Sequence, residues 1–267
     1  MTKSKQLKIG LALGSGGPKG LAHIGVIKIL EENNIPIDFI AGSSIGALIG
    51  GFYATTKNIE QIEKKALNTN WRLVLSLLDP SLSGGLIGGE KVKNFIEDYI
   101  NKINFNRLKI PLSVVATDIE TGKSIIINNG DVASAIRASI SFPMVFESVK
   151  LNNRLLTDGG LSLPVPVDIV KKMGADITIA VNLDANYFIN GNNKNTKLGF
   201  YKIANNSINT LRHHLASWNV KNADVIIDPQ FGDIHWDKFL DGEDIILAGE
   251  KATKKILPQL KKLLNKN

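Results

Sequence analysis

Within its first 50 residues the chain twice runs from a short apolar segment through a glycine turn into a helical pattern, and few architectures tolerate that spacing. Leu7-Lys8-Ile9-Gly10-Leu11-Ala12-Leu13 reads as a buried first strand. A glycine-rich turn from Gly14 to Gly20 follows, and Leu21 to Asn33 then places Leu21, Ile24, Ile27 and Leu30 at helical spacing. Asn33-Asn34 and Pro36 stop that helix. Ile37 to Ala41 is a second short strand, and Ser44 to Ile49 opens a second helix. Strand, tight turn and helix in repetition predict a parallel sheet, because parallel neighbours need a crossover between them.

The alternation resumes downstream. Leu112 to Thr117 and Ser124 to Ile127 are further strands, and Leu155 to Thr157 is a short one running into Asp158-Gly159-Gly160. Val165 to Met173 is helical, Asp176 to Asn182 a strong strand, Asp224 to Ile227 the last strand, and Glu243 to Leu264 a terminal amphipathic helix. There is no internal repeat. The polar run Asn186 to Asn195 is expected to be a loop rather than a linker, so residues 1–267 are expected to form one α/β unit.

Composition removes some classes of function. The chain has no cysteine, which excludes disulfides and thiolate metal sites. No stretch approaches the roughly 18 consecutive apolar residues of a membrane span. Lys8 interrupts the apolar stretch near the N-terminus, so no secretory signal is expected and a cytoplasmic protein is the default. The net charge of +7 comes from scattered lysines without a dense basic cluster interleaved with aromatics. Nucleic acid is therefore not an expected partner, while transient contact with an anionic membrane surface is compatible with the charge.

The chemistry centres on Gly42-Ser43-Ser44-Ile45-Gly46, a Gly-x-Ser-x-Gly between a strand and a helix. A serine at the tip of such a turn is exposed, its flanking glycines relieve crowding, and the next helix turns free N–H groups toward developing negative charge. The plain reading is a glycine turn for close packing. A second segment, Gly14-Ser15-Gly16-Gly17-Pro18-Lys19-Gly20, invites a nucleotide reading. The dinucleotide fingerprint needs a third glycine where Lys19 stands, and a phosphate loop needs Gly-Lys followed by Ser or Thr; neither is met. Consecutive glycine N–H groups at a helix start can instead form an oxyanion hole. Pro18 has no N–H, which leaves Gly16 and Gly17 as donors, with Lys19 placed to steady the loop or meet an acidic headgroup.

An ordinary α/β-hydrolase places several strands before its serine and an acid and a histidine after it. Here only two strands precede Ser44, and none of His23, His213, His214 or His235 has a strand-end setting. His23, on the first helix, is expected to be a packing residue, and of the adjacent His213 and His214 at most one can face a site. Asp158 does end a strand, and Gly159-Gly160 let other backbone approach it closely. A carboxylate can take a serine proton if desolvation raises its pKa toward neutrality. The plain reading of Asp-Gly-Gly is a turn.

Taken together, the glycine loop Gly14 to Gly20, the elbow Gly42 to Gly46 and Asp158-Gly159-Gly160 resemble the patatin-like phospholipase family, and most closely its compact bacterial members. Further stretches support the resemblance: Ala116-Thr117-Asp118 with Thr121-Gly122, Arg137-Ala138-Ser139-Ile140-Ser141-Phe142-Pro143, and Met173-Gly174-Ala175-Asp176. It implies a three-layer α/β/α fold with a mainly parallel central sheet. It also implies a Ser44–Asp158 dyad that hydrolyses lipid esters through an acyl-enzyme, with Gly16 and Gly17 holding the oxyanion and neither metal nor cofactor. A catalytically weak lipid-binding or regulatory protein on the same fold is the alternative. Two positions depart from the family pattern: Ser15, where glycine is frequent, and Leu163, where Asn or Asp is usual. The apolar run Trp71 to Leu78, before the loop Gly84 to Gly89, reads as core or as a cap that docks on lipid.

Overall fold

The computed structural model describes residues 7–68, 89–143, 145–186, 199–231 and 242–265. The apolar run at 71–78, read as core or cap, most of the loop at 84–89 and of the polar run at 186–195, and His235 all lie outside the described residues.

β1 (Ile9–Leu13) is the strand predicted from the first apolar segment, and all five residues are buried. That follows from its position: it is flanked in parallel by β2 (Phe39–Ser43) and β7 (Ile177–Val181). A strand with neighbours on both edges and helices on both faces has no exposed side on which to place a polar residue. β7 continues in parallel to β8 (Val225–Ile227), and β2 to β3 (Leu112–Asp118). Beyond β3 the sheet turns antiparallel, through β4 (Ser124–Ile127), β5 (Val149–Leu151) and β6 (Arg154–Asp158).

The two faces of the parallel strands differ in side-chain size, and this separates the helical layers. Ile9, Leu11, Leu13, Ile40, Ile177, Ile179 and Val181 project into the larger cluster. There they meet α1 (Ala22–Glu32), α2 (Ile45–Thr56), α3 (Ile59–Asn68), α4 (Gly89–Ile100), α5 (Val132–Ser139) and α8 (Glu243–Leu264). On the opposite face Ala12, Ala41 and Ala180 admit α6 (Val167–Lys172) and α7 (Phe200–Asn219) at close range. The result is the expected three-layer α/β/α arrangement.

α1 and α8 cross through paired glycines. A Cβ on Gly25 would lie 2.0 Å from the Ile246 carbonyl oxygen, and one on Gly249 would lie 2.0 Å from that of Ala22. Both clashes are with backbone, so relief requires the helices to separate. Gly249→Ala is expected to lower stability by roughly 2–3 kcal/mol, because overpacking outweighs the ~1 kcal/mol gained in helix propensity. Urea unfolding checks this, and an unchanged midpoint would contradict it.

Candidate active site

The sheet register brings the ends of two strands together. Val115 in β3 pairs with Ser43 on one edge and Ile126 on the other, while Ala116 pairs with Asp158 and Ile125. β2 and β6 therefore share one edge of β3 and approach from opposite directions. The residue just past the end of β2 is Ser44, and the last residue of β6 is Asp158.

Ser44 turns sharply as the chain leaves β2, with φ 55° and ψ −124°. That conformation is unfavourable for a residue carrying a Cβ, at a cost of about 1–3 kcal/mol, so the surroundings must hold it. They do so at both ends of the residue. The Ser44 N–H donates to Ser139 Oγ at 2.9 Å, and that hydroxyl donates to the Val115 carbonyl at 2.6 Å. The Ser44 carbonyl accepts from the N–H groups of Ala47 and Leu48, which starts α2. The glycines of the motif make the bend possible. A Cβ on Gly42 would sit 2.5 Å from the Ala47 backbone, and one on Gly46 would sit 2.2 Å from the Leu13 carbonyl.

Asp158 faces the bend. Ser44 Oγ donates to Asp158 Oδ2 at 2.5 Å, and the Gly160 N–H donates to Oδ1 at 2.7 Å. The backbone of Asp158 is fixed as well: its N–H donates to the Ser141 carbonyl, and its carbonyl accepts from Thr117 Oγ1. The residue is buried. Burial penalises the charged form and pushes its pKa from the ordinary 3.8 up to about 6; the hydrogen bonds from Ser44 and Gly160 and the charge of Arg212 oppose that rise, while Asp184 adds to it.

The glycine loop closes the third side. The N–H groups of Gly14 and Ser15 donate to the Val181 and Pro164 carbonyls. Gly16 is buried and Gly17 exposed, and Gly17 has φ 57° as the chain enters a 3₁₀ turn, Gly17–Leu21. The loop touches both other motifs. A Cβ on Gly20 would strike the Ile45 side chain, one on Gly46 would lie 2.8 Å from the Gly14 carbonyl, and one on Gly160 would lie 2.7 Å from Ser15 Oγ. All three motifs meet at one end of the sheet. Among the described residues, no group of three His, Cys, Asp or Glu side chains is arranged to hold a metal ion. A hollow of about 520 Å³ at the amino end of β3, lined by Asn104, Phe105, Leu112 and Asn128 among others, contains none of the motif residues.

The patatin-like phospholipase family model matches residues 11–171, which is more than half of the chain and includes all three motifs. The chain belongs to that family. Among its relatives is an uncharacterized NTE family protein of Mycobacterium tuberculosis, 41% identical over 182 residues, 68% of this chain and 50% of the relative. The neuropathy target esterase sws of Drosophila melanogaster is 33% identical over 183 residues, 66% of this chain and 13% of that protein. Lysophospholipase NTE1 of Yarrowia lipolytica is 33% identical over 181 residues, covering 66% and 12%. The chain thus spans about half the length of the mycobacterial relative and far less of the others. In fold it is similar to VipD from Legionella pneumophila, with a TM-score of 0.62 at 14% identity over 96% of this chain and 67% of that one.

In this chain the two departures from the family pattern both sit in packed surroundings. Ser15 is buried against Gly160, whose missing side chain leaves room for the hydroxyl. Leu163 packs on the second apolar cluster, and its N–H donates to the Gly159 carbonyl. His23 is fully buried, its Nε2 2.8 Å from the Gly14 carbonyl, so the neutral ring donates there and pins the glycine loop. Burial pushes its pKa down to about 4, which keeps it uncharged. His213 turns inward, with Nδ1 2.6 Å from the Asp184 carbonyl, and His214 is exposed.

Three contributors were not singled out from the sequence. Ser139 holds the Ser44 backbone. Asp184 is buried two residues beyond Asn182, and Arg212 on α7 grips it through Nε and Nη2 at 2.7 and 2.9 Å. A carboxylate just past a strong strand was a signal for Asp184, and Ser139 lay within a stretch that supports the family resemblance; nothing local pointed to Arg212. Lys19 is half-buried, with its ammonium 5.3 Å above the Phe231 ring; burial lowers its pKa, and the charge of Asp184 opposes that.

Ser139→Ala would remove the acceptor of the Ser44 N–H and the donor to Val115. We expect a stability loss of about 1–3 kcal/mol and roughly tenfold slower labelling of Ser44 by a serine-reactive probe, since the bend loses its anchor. Urea unfolding and the rate of labelling by a fluorophosphonate measure the two effects. An unchanged labelling rate would show that the bend holds without it.

Proposed function

We propose that the chain is a serine-dependent acyl hydrolase acting on lipid esters, with Ser44 as nucleophile and Asp158 as its base. The observation that carries this reading is the 2.5 Å contact from Ser44 Oγ to a buried carboxylate whose pKa is raised to about 6. A carboxylate at the ordinary 3.8 is too weak a base to draw the hydroxyl proton, whereas one near 6 is ionised at neutral pH and more basic.

In the reaction, Ser44 Oγ bonds to the ester carbonyl carbon as its proton passes to Asp158 Oδ2. The carbonyl oxygen becomes an oxyanion and takes hydrogen bonds from the N–H groups of Gly16 and Gly17, each worth about 3 kcal/mol in the transition state. Collapse of this intermediate breaks the bond to the alcohol, which leaves with the proton held by Asp158. Water then attacks the acyl-Ser44 carbonyl and gives a proton to Asp158. Ser44 Oγ leaves, recovers that proton, and the fatty acid departs. No histidine takes part, and the protons move on one short path.

Lys19 lies on the same loop and is assigned to substrate binding or to steadying the loop. The names of the NTE relatives, an esterase and a lysophospholipase, support an ester of lipid type. The test is labelling with a fluorophosphonate probe and mapping the modified peptide. The expected adduct is on Ser44; an adduct on another serine, or none, would overturn the reading.

A further inference from the structure

The outer face of α7 carries large apolar side chains from one end to the other. Among the described residues the four most exposed large apolar side chains are Phe200, Ile203, Leu211 and Trp218, at 88, 50, 72 and 67%. All four are on this helix, and at 3.6 residues per turn they fall within about 80° of arc. Ser207 and His214 also lie in that arc, both exposed. The opposite side carries the packing residues: Asn209 is buried there, and Ala216, with Val220 just past the helix end, joins the core cluster of Ala12, Ala41 and Ala180. Single exposed apolar residues are ordinary on a protein surface, but a row of four along five turns is not.

The charges on this helix narrow the choice of partner. From Phe200 to Asn222 there is no Asp or Glu, while Lys202 and Lys221 are present beside Arg212, whose charge is met by Asp184, in a chain of net charge +7. Lys221 Nζ sits 4.5 Å above the Trp218 ring, which places a cation beside an aromatic at one end of the row. Apolar residues on one side of a helix, with an aromatic and a lysine together at one end of the row and no acidic residue, are the composition of an interfacial helix. A second copy of the same face would offer Lys221 no acidic residue.

The helix also has a definite place relative to the site. It leads into β8, which is parallel to β7, so it runs from the carboxyl end of the sheet toward the amino end. Arg212 meets Asp184 just beyond the end of β7. Phe200 and Ile203 lie two to three turns earlier, toward the end of the sheet that carries Ser44.

We propose that the outer face of α7 docks on an anionic lipid surface and holds the Ser44 end of the sheet beside it. The choice of lipid draws partly on the proposed hydrolysis of lipid esters, so binding is measured with that chemistry removed. The probe is a vesicle of phosphatidylcholine containing one part in three phosphatidylglycerol, compared with pure phosphatidylcholine, sedimented with the Ser44→Ala protein. Binding to the anionic vesicle is expected to be at least ~10-fold tighter and to weaken with added salt. Phe200→Ser, Leu211→Ser and Trp218→Ser together are expected to lower that affinity at least ~30-fold. The same three changes in the Ser44 protein should leave the urea midpoint and the hydrolysis of a soluble short-chain ester unchanged.

Equal vesicle binding by the parent and the triple variant would overturn the proposal, as would absence of binding by the parent. So would concentration-dependent self-association that the triple variant loses while the parent ignores vesicles, which would assign the face to a second copy. If Ser44 takes no fluorophosphonate but vesicle binding still depends on the three residues, the docking stands and the hydrolase reading falls.

Discussion

Ser44→Ala and Asp158→Asn are each expected to reduce kcat on a chromogenic short-chain ester by at least ~10³-fold, and the double variant by no more than the worse single one. Without the hydroxyl there is no acyl-enzyme. Without the carboxylate the hydroxyl keeps its proton, and a positioned base contributes about 10²–10⁴-fold. The losses do not add, because the two groups perform one step. The variants should differ in stability. Asp158 is buried, and a carboxyl with a folded-state pKa of about 6 against an ordinary 3.8 costs on the order of 3 kcal/mol when ionised. Asp158→Asn is therefore expected to be more stable than the parent at pH 7, by up to about that amount. Equal rates in parent and variants would reject the dyad; an inactive Asp158→Asn that is also less stable at pH 7 would reject the account of the carboxyl's environment.

The second large effect is on pH dependence. kcat/KM is expected to be half-maximal near pH 6, flat above it, and to fall about tenfold per pH unit below, because only ionised Asp158 accepts the serine proton. His23, held neutral with a pKa of about 4, cannot produce that limb. Stability carries the opposite sign. The native carboxyl binds its proton more tightly than the unfolded one. The contribution of Asp158 to stability is thus greatest below about pH 4, falls as pH rises through about 6, and is level beyond. The gap in stability between Asp158→Asn and the parent should accordingly be near zero at pH 4 and fully open by pH 7. A rate profile flat from pH 5 to 8 on a substrate whose chemistry is rate-limiting would remove Asp158 as base.

Much of this was legible in the chain because the signals were local. β1 and β2, the helices that follow them and the terminal helix each announce themselves within a dozen residues, through apolar spacing and glycine or proline stops. Gly-x-Ser-x-Gly and Asp-Gly-Gly were likewise readable, since a sharp bend and a close backbone approach need particular residues at fixed offsets. α5, the antiparallel extension through β5, and the 20-residue span of α7 were harder to read. Short strands and mixed helical faces give weak periodicity, and their form is set by what they pack against.

The sequence by itself determined which side chains could do chemistry, because a hydroxyl between glycines and an acid before two glycines are properties of a few consecutive residues. Only the tertiary structure decided that they meet. Ser44 and Asp158 are 114 residues apart and touch because β2 and β6 end head to head along one edge of β3. The proton affinity of Asp158 was decided there as well: it arises chiefly from the water that folding removes, opposed by the hydrogen bonds from Ser44 and Gly160 and less by the charge of Arg212, and the burial is a property of no single stretch of chain.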